Sequence, residues 1–283
     1  MADKAFFDTV SLRCSKMTTR AYSTSFSMGI RFLNKRFHDP IYAIYGFVRF
    51  ADEIVDTFHD YDKARLLEKF RKDTYEAIEE KISLNPILNA FQEVVNRYRI
   101  PRHLIDTFLK SMEMDLNQNV YDQSGYEEYI LGSAEVVGSM CLKVFVEGNE
   151  KLYNELEPYA MKLGSAFQKI NFLRDLRDDV NALGRVYFPG VDMSEFNEEV
   201  KKQIEKDIEV DFARGYEGIQ KLPKDSRFGV YVAYVYYYRL FAKIKALPAN
   251  RILQERVRIP NGKKYSLFVT SYVRHSFNLI LCE

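Results

Sequence analysis

Tryptophan is missing from this 283-residue chain, and cysteine, proline and glycine are scarce, at 3, 8 and 13 residues. Cys14, Cys141 and Cys282 share no CxxC spacing. An odd, scattered set excludes a disulfide framework and a cysteine zinc site, and suits a reducing compartment. Few Pro and Gly leave room for long uninterrupted elements. An excess of charge is missing as well: 41 Lys and Arg meet 40 Asp and Glu. That balance excludes nucleic acid as a bulk electrostatic partner and confines charge-dependent chemistry to local sites. No run of about 18 apolar residues is found, which argues against a spanning helix. The first ten residues carry Asp3, Lys4 and Asp8 and no apolar core of a secretory signal. The expectation is a cytoplasmic protein, with peripheral contact at the inner face of the membrane left open.

What is abundant is Phe and Tyr, 21 and 20 residues, in a chain that is 47% hydrophobic and 29% charged. Apolar residues recur at helical spacing: Ile87, Leu88, Phe91, Val94, Val95 and Tyr98 make one amphipathic stripe. Period-2 alternation is hard to find. The spacing predicts helices over about 41–58, 61–82, 85–98, 101–116, 126–146, 151–180, 194–219, 225–246 and 264–279, after one near 4–21. No linker, repeat or composition shift divides them, so residues 1–283 read as one all-α domain. Gly229–Lys243 is apolar and aromatic around most of its circumference. It predicts a helix buried on several sides: central in a large bundle, in a bundle enclosing an apolar cavity, or in an ordinary thick core.

Two carboxylate pairs stand out. Asp52 and Asp56 are four apart, so they stack on one helix face, with Arg49 three residues back. On an exposed helix this repulsion costs a few tenths of a kcal/mol, which a cation would reverse. The second pair lies in Gln168–Asp179. At about 100° per residue, Asn171, Asp175 and Asp179 fall near −60°, −20° and +20° from Gln168, an arc about 80° wide. If the two helices face each other, four Asp make a cluster that only cations neutralise. Oxygen donors without His or Cys select Mg²⁺, or Mn²⁺, over Zn²⁺. Mg²⁺ completes its shell with water and phosphate oxygens, so the pairs predict a phosphorylated ligand. Arg49, Arg174 and Arg185 are candidates to bind its phosphates.

These stretches resemble the squalene/phytoene synthase family of head-to-head prenyl transferases, in particular bacterial phytoene synthases. The resemblance covers nearly the whole chain. Tyr22-Ser-Thr-Ser-Phe-Ser27 is similar to the family's Ser-x-Ser-Phe motif, Ala43–Asp56 to its first aspartate-rich motif, and Ser111–Leu116 to its Met-x-Met-Asp-Leu stretch. Leu163–Asp179 with Gly184–Pro189 resembles the second aspartate-rich motif and its Arg-x-Tyr-Phe-Pro tail. Each DxxxD alone is weak; the ordered set is specific.

The resemblance implies an isoprenoid-synthase-type helical bundle enclosing an apolar cavity. It implies that Asp52, Asp56, Asn171, Asp175 and Asp179 serve metal and diphosphate, the four Asp acting in catalysis together with Tyr129. Tyr22, Ser23, Thr24, Ser25, Phe26, Tyr45, Arg49, Gln168, Asn171, Arg174, Arg185, Tyr187, Tyr237 and Arg256 are implied substrate contacts, Tyr129, Tyr237 and Arg256 being placed only with gaps. Implied too are Mg²⁺, prenyl diphosphate substrates, and two geranylgeranyl diphosphates condensing to phytoene through a cyclopropyl diphosphate, without NADPH. A downstream desaturase is a further implied partner. C15 substrates, giving dehydrosqualene, presqualene diphosphate or squalene, stay open, as do a single-substrate terpene cyclase and a non-catalytic helical scaffold. One departure concerns the pocket wall: Ser133 and Glu135 replace an apolar residue and a glycine of the family pattern. Glu135 is expected to turn to solvent or to a basic partner, since an ionised carboxylate in a hydrocarbon pocket is costly.

Overall fold

The computed structural model describes residues 3–117, 120–179, 185–189, 196–254 and 256–257. The helix predicted over 264–279, together with Cys282 and Lys263-Lys264, lies outside them. The chain order is α1 Lys4–Tyr22, α2 Thr24–Arg31, α3 Lys35–Asp56, α4 Lys63–Glu80, α5 Pro86–Tyr98 and α6 Arg102–Asn117. Then come α7 Gln123–Ile130, a π-helical turn Leu131–Glu135, α8 Val136–Val146, α9 Glu150–Asp178, α10 Glu198–Lys221, α11 Lys224–Lys245 and α12 Ala249–Ile252. Among the described residues the β pairing amounts to one isolated parallel bridge, Val120 to Val186. The fold is the all-α bundle the sequence predicts.

Side-chain caps set most helix starts. Asp3, Ser23, Asp62, Asp122 and Asn149 each accept a hydrogen bond from a backbone N–H two or three residues on, which satisfies a donor the helix itself leaves free. Asn85 does the same ahead of Pro86, whose missing N–H costs nothing in the first turn.

Several boundaries differ from the sequence reading. α3 starts at Lys35 and carries Pro40 inside it, fully packed away; burial of its neighbours Phe37, Ile41 and Tyr42 outweighs the lost backbone bond. α9 runs through Pro158, as the helix predicted over 151–180 does. The Ser-x-Ser-Phe stretch forms an unpredicted short helix, α2, capped by Ser23. The helix predicted over 126–146 is broken by the π turn, a form that marks functional sites in other proteins. α11 is not the centre of the bundle: Tyr231, Val232 and Phe241 are buried, but Tyr238 is half exposed. Gln123–Val146 is apolar and long enough to cross a membrane, which the sequence reading had excluded. Two-thirds of its most apolar window, 67%, is buried in the bundle, as in the core helix of a folded domain.

The core has two main parts. In the first, Phe47 of α3 stacks on Phe91 of α5 with centroids 3.9 Å apart and packs against Phe70 and Phe108. In the second, Ile170, Leu173 and Leu176 of α9 meet Phe212 of α10 and Leu240 and Ile244 of α11. An apolar cavity of about 260 Å³ opens beside them, walled by α2, the π turn, α8, α9, α10 and α11.

Glycines let these helices close around the cavity. A Cβ added at Gly229 would stand 2.4 Å from Leu33 Cδ2 and 2.9 Å from its backbone nitrogen. Alanine is the better helix former by about 1 kcal/mol, but overpacking costs about 1–3 kcal/mol, and backbone cannot rotate aside. Gly229→Ala is therefore expected to lower unfolding free energy by about 1–2 kcal/mol in urea titration. A variant more stable than the parent would show that α2 moves away freely.

Candidate active site

α3 ends in the first aspartate pair and α9 in the second, and the structure sets the two ends against each other. The Asp179 carboxyl is pushed up to about 7 by burial, by Asp175 beside it and by Asp56 on α3. Asp52 is pushed up to about 7 by burial and by Asp56, against the pull of Arg49. Mutual repulsion between carboxylates on facing helices is the electrostatic signature expected of a cation site.

Arginines take up part of that charge. Arg185 Nη1 donates to Asp56 Oδ1 at 2.7 Å, and its Nη2 donates to the backbone oxygens of Asp115 and Val55 at 3.1 and 3.4 Å. Arg174 lies side-on to its neighbour Asp175, Nε to Oδ1 at 2.9 Å. Arg256 Nε reaches the same carboxylate at 2.7 Å. Arg49 is 3.8 Å from Asp52 but pairs more closely with Glu53, so its charge is shared off the predicted face. Its guanidinium covers the half-exposed ring of Tyr22 at 4.4 Å.

The polar arc of α9 continues toward the cavity. Asn171 Nδ2 is 3.4 Å from Gln168 Oε1, and Tyr237 OH donates to Asn171 Oδ1 at 3.3 Å. Gln168 itself lines the cavity, with Phe167, whose ring stacks on Tyr237 at 4.0 Å. Opposite, Ser23 hydrogen-bonds Tyr45, whose phenol burial pushes up to about 12. Phe26 stacks on Tyr45 at 4.9 Å and lines the cavity too. Thr24 and Ser25 occupy the first turn of α2 beside them, Thr24 exposed. Tyr237 and Arg256, insecure in the sequence, thus both reach the second aspartate motif.

The orientation of α9 has its own support. Lys169, buried one residue from Gln168, donates to Asp211 Oδ2 of α10 at 2.7 Å, and Ser165 Oγ donates to the same oxygen at 2.6 Å. Glu135 leaves the cavity for Lys162, 3.4 Å away, as expected for a carboxylate. Ser133 keeps its place in the cavity wall.

Sequence reasoning missed Asp115 and Tyr121. Asp115 lies at the end of the Met-x-Met-Asp-Leu stretch and accepts hydrogen bonds from Tyr121 at 3.1 Å and Tyr129 at 2.8 Å. A lone aspartate within an apolar stripe was the available signal. Burial pushes its carboxyl up to about 6 against the pull of Arg185 and Tyr129. Phe172, Tyr187 and Tyr129 pack beside it as a buried aromatic cluster, Phe172 stacked on Tyr187 at 4.1 Å.

The raised carboxyls carry a pH prediction. Below about pH 4, Asp52 and Asp179 are protonated in both folded and unfolded chains. Between there and about 7 the unfolded chain ionises first, so these two groups withdraw stability from the folded state as pH rises, until their folded values near 7 are passed. With chelator present, the melting temperature of the parent is expected to fall relative to Asp52→Asn/Asp179→Asn between pH 5 and 8. Parallel curves would show that the carboxylates do not repel.

The described residues hold no three His, Cys, Asp or Glu side chains grouped at metal-binding distance. A Mg²⁺ ion is usually held by one or two carboxylates and completed by water and phosphate, and the all-oxygen, mutually repelling donor set fits that mode.

The squalene/phytoene synthase family description matches residues 19–263. The chain is 27% identical over 192 residues to the 4,4'-diapophytoene synthase of Staphylococcus haemolyticus, covering 66% of this chain and 65% of that protein. It is 27% identical over 271 residues to the phytoene synthase of Rhodobacter capsulatus, covering 89% of this chain and 78% of that protein. The fold superposes on a crystal structure of a dehydrosqualene synthase in complex with ligand with a TM-score of 0.79 and 20% identity, covering 95% of this chain and 98% of that one. A family match over most of the chain, meeting two facing aspartate pairs beside an apolar cavity, establishes that this protein belongs to the squalene/phytoene synthase family.

Proposed function

We propose that this protein is a Mg²⁺-dependent prenyl transferase that joins two geranylgeranyl diphosphates head to head, through cyclopropyl prephytoene diphosphate, to phytoene. The observation that carries the reading is the pair of aspartate-bearing helix ends, mutually repelling, at the polar end of an apolar cavity. Relatives named phytoene synthase support the C20 substrate.

Asp52, Asp56, Asn171, Asp175 and Asp179 would hold the metal, with Mn²⁺ as an alternative. When bound, the metal supplies charge stabilisation to the departing diphosphate. The chain's own groups do the rest. Arg49, Arg174, Arg185 and Arg256 bind and orient the diphosphates, Arg185 being held by Asp56 and by the backbone oxygens of Asp115 and Val55. The cavity excludes water, so a carbocation meets no nucleophile. The rings that do line the cavity, Phe26, Phe145, Tyr159 and Phe167, offer the aromatic surface that attracts such a cation. Tyr22 to Phe26, Tyr45, Gln168 and Tyr237 bound the passage between the polar end and the cavity. The reading needs no NADPH.

A C15 substrate is the second reading, favoured by the staphylococcal relative's name, 4,4'-diapophytoene synthase. The test offers radiolabelled C15 and C20 diphosphates with Mg²⁺ and identifies the products. A C40 hydrocarbon and released diphosphate are expected. Recovery of C30 product alone overturns the C20 assignment, a cyclic product overturns head-to-head condensation, and no diphosphate release favours a non-catalytic scaffold.

A further inference from the structure

Asp115 is buried on α6, with 7% of its surface exposed, and four donors surround its carboxylate. Oδ2 accepts from Tyr129 OH at 2.8 Å. Oδ1 accepts from Tyr121 OH at 3.1 Å and lies 3.5 Å from Tyr187 OH and 3.6 Å from Arg185 Nη1. Two of its contacts, from Tyr129 and Tyr121, are hydrogen bonds of ordinary length, one on each carboxylate oxygen. Its charge is felt by Asp52 and it feels that of Asp56, but its direct partners are tyrosines and Arg185.

Nor is it explained as a source of stability. A buried ion pair loses about as much in desolvation as it gains, and apolar replacements of similar volume often match it. What the carboxylate does hold is geometry. A tyrosine ring can turn about its own axis, but a hydroxyl fixed at one end pins where the ring lies. Tyr121, Tyr129 and Tyr187 are pinned to one point, and their rings meet at centroid distances of 5.2, 5.5 and 5.0 Å. Phe172 of α9 closes the stack against Tyr187. The three tyrosines come from the stretch before α7, from α7 itself and from the segment after α9, so no one helix fixes their relation.

We infer that Asp115 is a positioning residue of the reaction: it holds the hydroxyls of Tyr121, Tyr129 and Tyr187 and thereby fixes the aromatic cluster packed beside Arg185 and the aspartate site. The inference rests on the prenyl-transfer reading of the site. Arg185 depends little on the clamp, because its bonds run to Asp56 and to the backbone oxygens of Asp115 and Val55. Diphosphate binding is therefore spared when the Asp115 side chain changes.

The test compares Asp115→Ala, Asp115→Asn and Tyr129→Phe in the full chain, measuring kcat, KM for the prenyl diphosphate and melting temperature. Asp115→Ala is expected to lower kcat roughly 10²-fold, the scale of a small misplacement at a reacting centre, with KM nearly unchanged. Asp115→Asn, which still offers the hydroxyls an acceptor and a donor, recovers most of the rate. Adding Tyr129→Phe to Asp115→Ala costs little more, since both cut the same link. Unchanged kcat in Asp115→Ala overturns the inference, as does a loss that follows folded fraction and adds fully to Tyr129→Phe. Should Asp115→Ala not fold, Tyr129→Phe and Tyr187→Phe are combined: a double variant no slower than the worse single is expected, and full additivity overturns the clamp. A wild-type chain that turns over neither C15 nor C20 diphosphate overturns the functional reading, and the inference with it. A normal wild type beside an unimpaired Asp115→Ala overturns the inference alone.

Discussion

Asp179→Asn is expected to cut turnover of prenyl diphosphates by about 10²–10³-fold, the cost typical of removing one group aimed at developing charge. The same change should raise the melting temperature of the metal-free protein near neutral pH. Both follow from one arrangement. Asp179 is crowded by Asp175 and by Asp56 across the gap between α9 and α3, so its charge is unfavourable until a cation arrives. The neutral amide relieves that repulsion and withdraws the ligand at once. Such opposition between stability and activity is common where a site stores unfavourable charge. Asp52→Asn on the facing helix should behave alike, for Asp56 crowds it in the same way. Steady-state turnover, with metal-free melting at pH 7.5, checks both halves. Turnover at the wild-type level would remove Asp179 from the machinery. A lower melting temperature would mean that its hydrogen bonds, not its repulsion, dominate.

The largest effect on stability is expected far from that chemistry. Phe47 is fully buried between Phe70, Phe91 and Phe108. Truncation of such a ring leaves a cavity the surroundings fill only in part, at a cost of about 3–5 kcal/mol. For a chain of this size that lowers the melting temperature by roughly 5–8 °C. Phe47 lies on α3, five residues before Asp52, on the opposite side from the aspartates. Phe47→Ala should therefore reduce the folded fraction well before it changes kcat per folded molecule. Calorimetry paired with active-site titration separates the two. A drop in kcat without a drop in melting temperature would show that the α3 aspartates depend on this packing for their aim.

Much was legible in the sequence because it depends on spacing within one helix. The stacking of Asp52 on Asp56, the arc from Gln168 to Asp179 and the apolar stripe of α5 all follow from 3.6 residues per turn. The all-α class follows from the same periodicity, and the family from an ordered set of motifs along one chain. Pro40 misled because local propensity ranks below burial: it sits in a helix held by packing on other helices. α11 does wall an apolar cavity, one of the alternatives its sequence offered, but it is not central, because an aromatic surface does not say whether its neighbours are core or solvent.

Facing, burial and partner choice between distant residues were decided only by the tertiary structure. Nothing in the spacing of either aspartate pair states that Asp56 approaches Asp179, since 122 residues of intervening chain must fold to bring the end of α3 near the end of α9. Nor does it predict that Arg185 spans Asp56 and Asp115, or that tyrosines from three segments share one carboxylate. A sequence without tryptophan but rich in Phe and Tyr determined that the helices would bury aromatic rings. Only their packing decided which rings stack in the core and which are pinned by their hydroxyls beside the site, because a hydrogen bond needs a partner at about 3 Å and helical periodicity fixes neighbours only along its own axis.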